Sequence, residues 1–289
     1  MSRISDALRK TENGSSHLAI AVGHDESNSH TAPPAAEVVS RRANGPGDET
    51  AWTAIRSEPL RLVVESPVLP FDGNDPQAAE QYRIIRTKIH HHPVQPRILM
   101  VSSPMPGDGK TISAVNLAGA LALQEDVQVL LIDADLRRSS VAKLLGLSAA
   151  PGLGDVLRGT APIQEAVIRV GQFPNLYVLA AGEALPNPPE LLASARWPAL
   201  CEQLRSRFRY AILDAPPVGA VADYDLLQLS ADGIVLVVRP DHTSHYLLKR
   251  ALETVPKAKQ IGVILNCAED WFLWRSHSYY YYANGARSS

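Results

Sequence analysis

Cysteines and long apolar runs are scarce in this sequence. Only two of its 289 residues are cysteines, Cys201 and Cys267. So few thiols exclude a disulfide framework and favour a reducing, cytosolic setting. No apolar run approaches the roughly 18 residues that a membrane-spanning helix needs, and the N-terminus has no hydrophobic segment of the signal-peptide kind. We therefore expect a cytoplasmic protein that reaches a membrane only through a partner.

A dominant charge of one sign is also missing. Lysines and arginines number 28, aspartates and glutamates 30, and the formal net charge is −2. Such a balance creates no strong field towards nucleic acid or an anionic membrane, so we expect no nucleic-acid partner. The chain is 45% hydrophobic, which is enough apolar material for a globular domain.

Composition divides the chain into three parts. Residues 1–75 are rich in Ser, Ala, Pro, Gly and Asn without a sustained hydrophobic period, which predicts a flexible N-terminal arm. Order is predicted to begin at Asp75-Pro76, where a capping residue and a proline open a helix. We expect one folded domain over residues 76–268 and a tyrosine-rich tail over residues 269–289.

Apolar segments of strand length alternate with helical segments along the predicted domain. The predicted strands lie within residues 97–103, 127–135, 175–182, 210–217, 232–240 and 260–267, and the later helices within 109–123, 188–207, 222–230 and 244–255. Strands that are apolar nearly throughout are buried on both faces, as in parallel sheets. The pattern predicts an α/β fold, a doubly wound and mostly parallel sheet flanked by helices.

The strongest chemical signal is "ILMVSSPMPGDGKTISAVNLA", residues 98–118. It places a loop of small residues between a buried strand and a helix, as a phosphate-binding P-loop requires. Glycines let backbone N–H groups approach phosphate oxygens, and the helix N-terminus adds partial positive charge. We expect Lys110 to contact the β- and γ-phosphates of ATP and Thr111 to bind Mg²⁺. The predicted nucleotide-binding residues are Pro106, Gly107, Asp108, Gly109, Lys110, Thr111 and Ile112.

The P-loop pattern has one departure, because Pro104 stands where the first glycine of the usual pattern would be. The alternative interpretation is an ordinary Gly-Pro turn. The strand, the helix and the Lys-Thr pair around the loop favour the P-loop.

Carboxylates follow two further buried strands. Asp133 and Asp135 end "VLLIDAD", and Asp214 ends "YAILD". Ligands of open α/β sheets bind at the carboxyl ends of the strands, so we expect these acids to converge on the P-loop. An aspartate is costly to bury without a cation, and Mg²⁺ supplies one. For any single aspartate the alternative is a helix cap.

Together "SSPMPGDGKT", "LLIDADLRR" and "AILDAPP" resemble the three nucleotide motifs of bacterial tyrosine kinases, a P-loop family of capsule and exopolysaccharide synthesis and export. The resemblance covers roughly residues 76–289. It implies ATP-dependent tyrosine autophosphorylation with Lys110, Asp133, Asp135 and Asp214 as catalytic residues. Asp133 is then the group that accepts the tyrosine proton.

The resemblance also implies the surroundings of this centre. Thr111, Asp135 and Asp214 are expected to hold Mg²⁺, with the two acids acting through water, and Asn266 is expected to contact adenine. Arg137 or Arg138 is expected to contact the γ-phosphate or the tail, and the sequence does not choose between them.

Self-association and the acceptor are two more implications of the family. Glu80, Arg83 and Arg86 match a Glu-x-x-Arg-x-x-Arg helix that holds subunits in a ring, and the alternative is a solvated helix face with a Glu80–Arg83 pair. The expected phosphoacceptors, reached in trans, are Tyr279, Tyr280, Tyr281 and Tyr282. The resemblance further implies a separately encoded transmembrane polysaccharide co-polymerase as activator, a cognate phosphotyrosine phosphatase, and recruitment to the inner face of the membrane.

Two rival functions remain open from the sequence. One is an ATPase switch of the partition or division-site type without protein kinase activity. Met105 stands where such proteins carry their signature lysine, which favours the kinase. The other is a nucleotide-sensing adaptor without turnover, against which the presence of all the motif acids argues.

Overall fold

A nine-stranded sheet forms the centre of the molecule. The structure is a computed structural model that describes residues 19–21, 52, 55–63 and 66–268, so the predicted phosphoacceptors Tyr279–Tyr282 lie outside the described residues. The strands are β1 (Ala19–Ala21), β2 (Ser57–Glu58), β3 (Ile98–Ser102), β4 (Val129–Asp133), β5 (Val167–Val170), β6 (Leu176–Leu179), β7 (Tyr210–Asp214), β8 (Gly233–Val238) and β9 (Gln260–Leu265). Their order across the sheet is β1-β9-β8-β3-β7-β4-β6-β5-β2.

Helices connect these strands. Within the described residues they are α1 (Pro76–His90), α2 (Lys110–Ala122), α3 (Val141–Leu145), α4 (Leu153–Arg158), α5 (Ile163–Ala166), α6 (Pro188–Leu192), α7 (Arg196–Arg207), α8 (Ala222–Ser230) and α9 (His245–Thr254), with a 3₁₀ turn at Lys257–Lys259. The helix predicted over residues 188–207 is therefore two helices, α6 and α7. In the described part of the chain, no helix is both long and apolar enough to cross a membrane.

The predicted parallel sheet is confirmed. Strand β3 pairs in parallel with β7 and β8, strand β4 with β6 and β7, and β8 with β9. The central strands β3, β4, β7 and β8 are buried along their whole length, as their continuous apolar sequences indicated. Antiparallel pairing occurs towards the edges, where β5 pairs with β6 and β1 with β9.

Two hydrophobic layers cover the two faces of the sheet. One layer packs α1 and α2 against the face that presents Leu99, Val101 and Leu131. The other packs α7, α8 and α9 against the face that presents Met100 and Ile132. Alternate strand residues thus serve opposite layers, which is the doubly wound arrangement that the sequence predicted.

The packed part of the chain begins before the predicted boundary at residue 76. Trp52 is 8% exposed, Leu69 is 4% exposed, and β2 pairs with β5. The Leu69 N–H donates to Asn116 Oδ1 at 2.6 Å, and Asn116 Nδ2 donates to the Pro67 carbonyl at 2.8 Å. These anchors are isolated apolar residues and backbone groups, which create no periodic sequence signal. The helix start is as predicted, because Asp75 Oδ1 accepts from the Ala78 N–H at 2.9 Å.

Candidate active site

Three neighbouring strands carry the motif residues to one edge of the sheet. Strand β7 lies between β3 and β4, with Asp214 in register with Val101 on one side and with Asp133 on the other. The exposed fractions of Asp133, Asp135 and Asp214 are 1%, 4% and 0%. The structure therefore brings together the acids that the sequence placed on separate strands.

Lys110 lies at the centre of this acidic cluster. Its Nζ is 3.1 Å from Asp135 Oδ2 and 3.4 Å from Asp214 Oδ1. Burial would lower the pKa of Lys110, but the Asp214 and Asp135 carboxylates outweigh it and the pKa is raised. Burial raises the pKa of Asp214, and Lys110 opposes that rise. Lys110 therefore stays charged and neutralises part of a cluster that is otherwise short of cations.

Thr111 joins the cluster from the first turn of α2. Its Oγ1 donates to Asp214 Oδ2 at 2.7 Å, and it accepts from Ser140 Oγ at 3.3 Å. Ser140 was missed by the sequence reasoning, because a serine in the "RRSSV" stretch gives no signal until the fold brings it to the P-loop. The hydroxyls and Asp214 form one connected polar network beside Lys110.

Asp133 differs from its neighbours because only half of its carboxylate is satisfied. Its Oδ2 accepts from the Ser140 and Val141 N–H groups at 2.9 and 3.0 Å. Its Oδ1 is buried and has no hydrogen-bond partner in the described part of the chain. Burial and then the nearby Asp214 charge raise the pKa of Asp133 from 3.8 to about 7. A carboxylate tuned to that range can accept a proton from a substrate near neutral pH.

The P-loop backbone is shaped by two glycines. Gly107 and Gly109 both have φ of 90°, a left-handed conformation that glycine tolerates. A Cβ on Gly109 would lie 1.9 Å from Asn266 Nδ2, so any side chain at this position would force the Asn266 amide to move. Gly109 is the N-cap of α2, and the N–H groups of Lys110, Thr111 and Ile112 follow it in the first helical turn. First-turn N–H groups lack intrahelical partners, which makes them a cradle for phosphate.

Asp108 is a structural residue of the loop. It is fully buried, and its Oδ2 accepts from the Met105 N–H at 3.0 Å. Its Oδ1 lies 2.9 Å from His242 Nδ1 and accepts from Thr243 Oγ1 at 2.6 Å. Of the predicted nucleotide-binding set, Asp108 can therefore offer only its backbone, and Pro106 lies exposed on the loop without an N–H. His242 and Thr243, on the loop after β8, were missed because their partner is remote in sequence.

Asn266 follows β9 and touches the same loop. Its Nδ2 donates to the Asp108 carbonyl at 3.0 Å. This hydrogen bond holds the loop through the amide nitrogen and does not involve the amide oxygen. The residue predicted to contact adenine therefore lies beside the P-loop.

The two arginines after Asp135 have different surroundings. Arg137 Nε lies 2.9 Å from Asp223 Oδ2, and Arg137 Nη2 donates to Asp223 Oδ1 at 3.2 Å. Asp223 is 1% exposed in the first turn of α8, so this bidentate pair ties the loop after β4 to the start of α8. The Arg138 backbone N–H donates to Asp135 Oδ1 at 3.1 Å. The Arg138 side chain is exposed and makes no ion pair within the described chain. The geometry thus favours Arg138 as the cation available to an incoming group.

The side chains of Thr111, Asp135 and Asp214 suit a Mg²⁺ ion that is also bound by phosphate and water, and they do not form a metal site made of protein ligands alone. Thr111, Asp135 and Asp214 offer hard oxygens, and the buried acids outnumber the one lysine among them. The described residues contain no group of three or more His, Cys, Asp or Glu side chains that could hold a metal by themselves. Mg²⁺ typically binds through one or two carboxylates together with phosphates and water, so these residues suit it when ATP is present.

The predicted oligomerisation residues lie on α1. Arg83 Nη1 and Glu80 Oε2 form an exposed ion pair at 3.1 Å. Arg86 Nη1 instead donates to the Ala120 carbonyl at 3.1 Å, near the end of α2. Glu80 and Arg83 thus lie on the surface, where another subunit could contact them, whereas Arg86 links α1 to α2 by a hydrogen bond.

Known proteins are similar to this chain in sequence. A family model described as an AAA domain matches residues 97–265. Tyrosine-protein kinase YwqD of Bacillus subtilis (strain 168) is 38% identical over 192 residues, covering 65% of this chain and 80% of that protein. Tyrosine-protein kinase ptk of Acinetobacter johnsonii is 36% identical over 202 residues, covering 69% of this chain but 27% of that protein.

A solved structure agrees with these sequence matches. The kinase domain of the Escherichia coli tyrosine kinase ETK superposes with a TM-score of 0.64 at 31% identity, covering 68% of this chain and 78% of that domain. Its sequence identity to this chain is of the same order as that of the two kinases above.

Proposed function

Because the chain belongs to the bacterial tyrosine kinase family, we propose that it transfers the γ-phosphate of ATP to its own tail tyrosines, Tyr279–Tyr282, in trans. The family membership rests on relatives such as the Bacillus subtilis kinase, and it confirms the resemblance seen in the nucleotide motifs and the prediction of a protein-tyrosine kinase. The observation that carries the proposal is Asp133, a buried carboxylate with one unpaired oxygen next to the P-loop lysine.

The residues of the site divide the work of phosphoryl transfer. Lys110 and the first-turn N–H groups of α2 bind and orient the phosphates, which is the main task in this chemistry. When bound, Mg²⁺ neutralises charge on the β- and γ-phosphate oxygens, and Thr111, Asp135 and Asp214 are the residues that would hold it. Arg138 is placed to attract the incoming phosphate or tail charge.

Asp133 has the role of orienting the acceptor. Its Oδ2 is fixed by two backbone N–H groups, so its Oδ1 can accept a hydrogen bond from the tyrosine hydroxyl. Tyrosine has a pKa near 10 in solution, and Asp133 takes the proton late, as the new bond forms. Burial of the cluster strengthens these electrostatic contacts.

A single substitution tests the activity. Lys110→Met should abolish phosphotyrosine on incubation with Mg-ATP, because it removes the cation that binds the phosphates, while the circular dichroism spectrum stays native. Lys257→Met is the matched control, because Lys257 is exposed and distant in sequence from the motifs, and it should label normally. Persistent labelling of the Lys110→Met chain would sink the assignment.

A mixing experiment tests transfer between chains. The span from Asn266 to Tyr279 is thirteen residues, at most about 45 Å when extended, which is long enough to reach a neighbour's site. A Lys110→Met chain with its tail intact should therefore be labelled by an active chain whose four tail tyrosines are phenylalanine. No label on the inactive chain would argue against transfer in trans.

The proposed partners follow from the family. We propose a homo-oligomeric ring held by the α1 surface with Glu80 and Arg83. We also propose a separately encoded transmembrane polysaccharide co-polymerase that recruits the kinase to the inner membrane face. A phosphatase removes the phosphate from the tail tyrosines. Each phosphotyrosine adds about −1.5 to −2 charges, so a labelled tail is repelled from the acidic cluster and the ring loosens. Co-expression with the activator should raise tail phosphorylation, and an unchanged level would contradict this partner.

A further inference from the structure

The tyrosines outside the tail cluster differ sharply in exposure. The chain has nine tyrosines, of which four are Tyr279–Tyr282. Four of the other five are buried, namely Tyr82, Tyr177, Tyr210 and Tyr224, with exposed fractions of 2%, 7%, 0% and 0%. The fifth, Tyr246, is 65% exposed. Among the described residues it is therefore the one tyrosine that a kinase site can reach without unfolding the domain.

Tyr246 lies in a basic environment on a firmly anchored helix. It is the second residue of α9, whose N-cap Ser244 accepts from the Leu247 N–H at 3.3 Å. The Arg250 guanidinium lies 5.8 Å from the Tyr246 ring centroid. On the same helix, Leu248 and Ala251 are buried, so the helix cannot swing away from the sheet.

The residues just before α9 contact the P-loop. Thr243, immediately before the N-cap, is 5% exposed and donates to Asp108, and His242 contacts the same carboxylate. Tyr246 thus lies on the surface, three residues along the chain from a side chain that holds the P-loop. Because Leu248 and Ala251 hold α9 against the sheet, we take Tyr246 to be presented outward, towards the site of another chain.

We propose that Tyr246 is a second phosphoacceptor, located in the folded domain and phosphorylated by another copy of this chain. The proposal rests on the proposed autokinase function. The phenolic oxygen of Tyr246 forms a bond to the γ-phosphorus of ATP, the bond from that phosphorus to the β–γ bridging oxygen breaks, and ADP leaves. The phenolic proton passes to Asp133 of the phosphorylating chain, so atoms and charge balance.

The local charges favour the product. A phosphate on Tyr246 adds about −1.5 to −2 charges in the first turn of a helix, where negative charge is stabilising. Arg250, one helical turn away, already faces the ring and can pair with the phosphate. Lys249 adds a second cation, although Glu253 lies 3.9 Å from it and Asp241 precedes the helix. The modified side chain is therefore accommodated without any change in the fold.

Phosphopeptide mapping of full-length chains tests the proposal. The chain and a variant with Tyr279–Tyr282 all changed to phenylalanine are incubated with Mg-ATP, digested and mapped by mass spectrometry. We expect phosphate on Tyr246 in both chains. In the tail variant, a further Tyr246→Phe change should lower total phosphotyrosine to the level of the Lys110→Met chain. The four buried tyrosines serve as internal controls and should carry no phosphate.

Each outcome decides between the proposals. Tail labelling without phosphate on Tyr246 would overturn this inference and leave the autokinase function standing. Phosphate on the buried tyrosines at the level of Tyr246 would also overturn it, because exposure would then not select the acceptor. A chain with no phosphotyrosine at all would overturn the autokinase function and this inference with it. Phosphate on Tyr246 that requires Lys110 supports it.

Discussion

The aspartates at the two ends of the central sheet have opposite surroundings. At the amino end, Asp232 accepts from the Arg97 and Ile98 N–H groups at 2.9 and 2.8 Å and from Arg205 at 2.8 Å. Burial would raise the pKa of Asp232, but Arg205 and the two backbone donors outweigh it and the pKa is lowered. At the carboxyl end, burial raises the pKa of both Asp133 and Asp214.

The opposite pKa shifts indicate that the aspartate at the amino end stabilises the fold, whereas those at the carboxyl end are suited to bind ligands. Asp232 has a complete set of donors, so its charge stabilises the starts of two strands. Asp135 and Asp214 share Lys110, and Asp133 keeps one buried oxygen without a hydrogen-bond partner among the described residues. An incoming phosphate, metal or proton can supply the interactions that these acids lack. Such a site is less stable without its ligands but already shaped for them.

The largest effect is expected at the carboxyl end, from Gly109→Ala. The added Cβ would collide with Asn266 Nδ2 and force a left-handed φ of 90° on alanine. We expect ATP affinity to fall about 100-fold, or roughly 3 kcal/mol, in isothermal titration. Gly219→Ala is the control, because its φ is 65° but nothing lies within 4 Å of the added Cβ. Equal losses in the two variants would mean that strain alone, and not the collision with Asn266, explains the defect.

The next effect is expected at the amino end, from Asp232→Ala. The change leaves two N–H groups and Arg205 without their shared acceptor and should lower the free energy of unfolding by about 2 kcal/mol. Urea denaturation measures the loss, and phosphotyrosine formation below the melting temperature should be unchanged. Glu202→Ala removes the exposed partner of the same arginine and is the control, expected within about 0.5 kcal/mol of the parent. Loss of kinase activity in Asp232→Ala would contradict the separation of the two ends.

Asp133→Asn should stabilise the ATP-free domain. A carboxyl whose folded pKa is raised from 3.8 to about 7 binds more protons when folded, so its contribution to stability falls as pH rises from about 4 to about 7. We expect the variant to exceed the parent by roughly 1 to 3 kcal/mol at pH 8, and by clearly less at pH 5, in urea denaturation. The same variant should bind ATP yet label poorly. A parent that is more stable than the variant at pH 8 would show that Asp133 is not an uncompensated charge.

The smallest change in stability is expected on α1, far from both ends. Arg83→Ala removes an exposed ion pair and should alter the free energy of unfolding by only a few tenths of a kcal/mol. In sedimentation, the same change should dissociate the proposed ring. Arg86→Ala should cost more, about 1 kcal/mol, because it also removes the hydrogen bond to the Ala120 carbonyl. An Arg83→Ala chain that sediments like the parent would remove Arg83 from the subunit contact.

The sequence was sufficient to predict the elements that depend on local residue patterns. The six long apolar segments, the P-loop context and the capped start of α1 are all present in the fold, because each depends on neighbouring residues. The convergence of Asp133, Asp135 and Asp214 followed from the general position of ligands at the carboxyl ends of parallel strands.

Other parts depend on contacts that are remote in sequence. Strand β5 has only four residues, and β2 has two, so both exist because they find pairing partners at the sheet edge. The contacts of Asp108 with His242 and of Arg137 with Asp223 likewise join residues 134 and 86 positions apart, which no local pattern encodes. Exposure of Tyr246 is also a property of packing, since its sequence resembles that of any helical tyrosine.

The pairing of β1 with β9 has a consequence for how the sheet is completed. Residues 19–21 form their ladder with residues 263–265, so the earliest strand of the described chain pairs with the latest. During synthesis, the first partner must wait until nearly the whole domain has emerged, and such long-range pairings form slowly. Closure of that sheet edge is therefore a late folding event, and the residue next to the ladder is Asn266, which braces the P-loop. The nucleotide edge should be among the last regions of this kinase to mature.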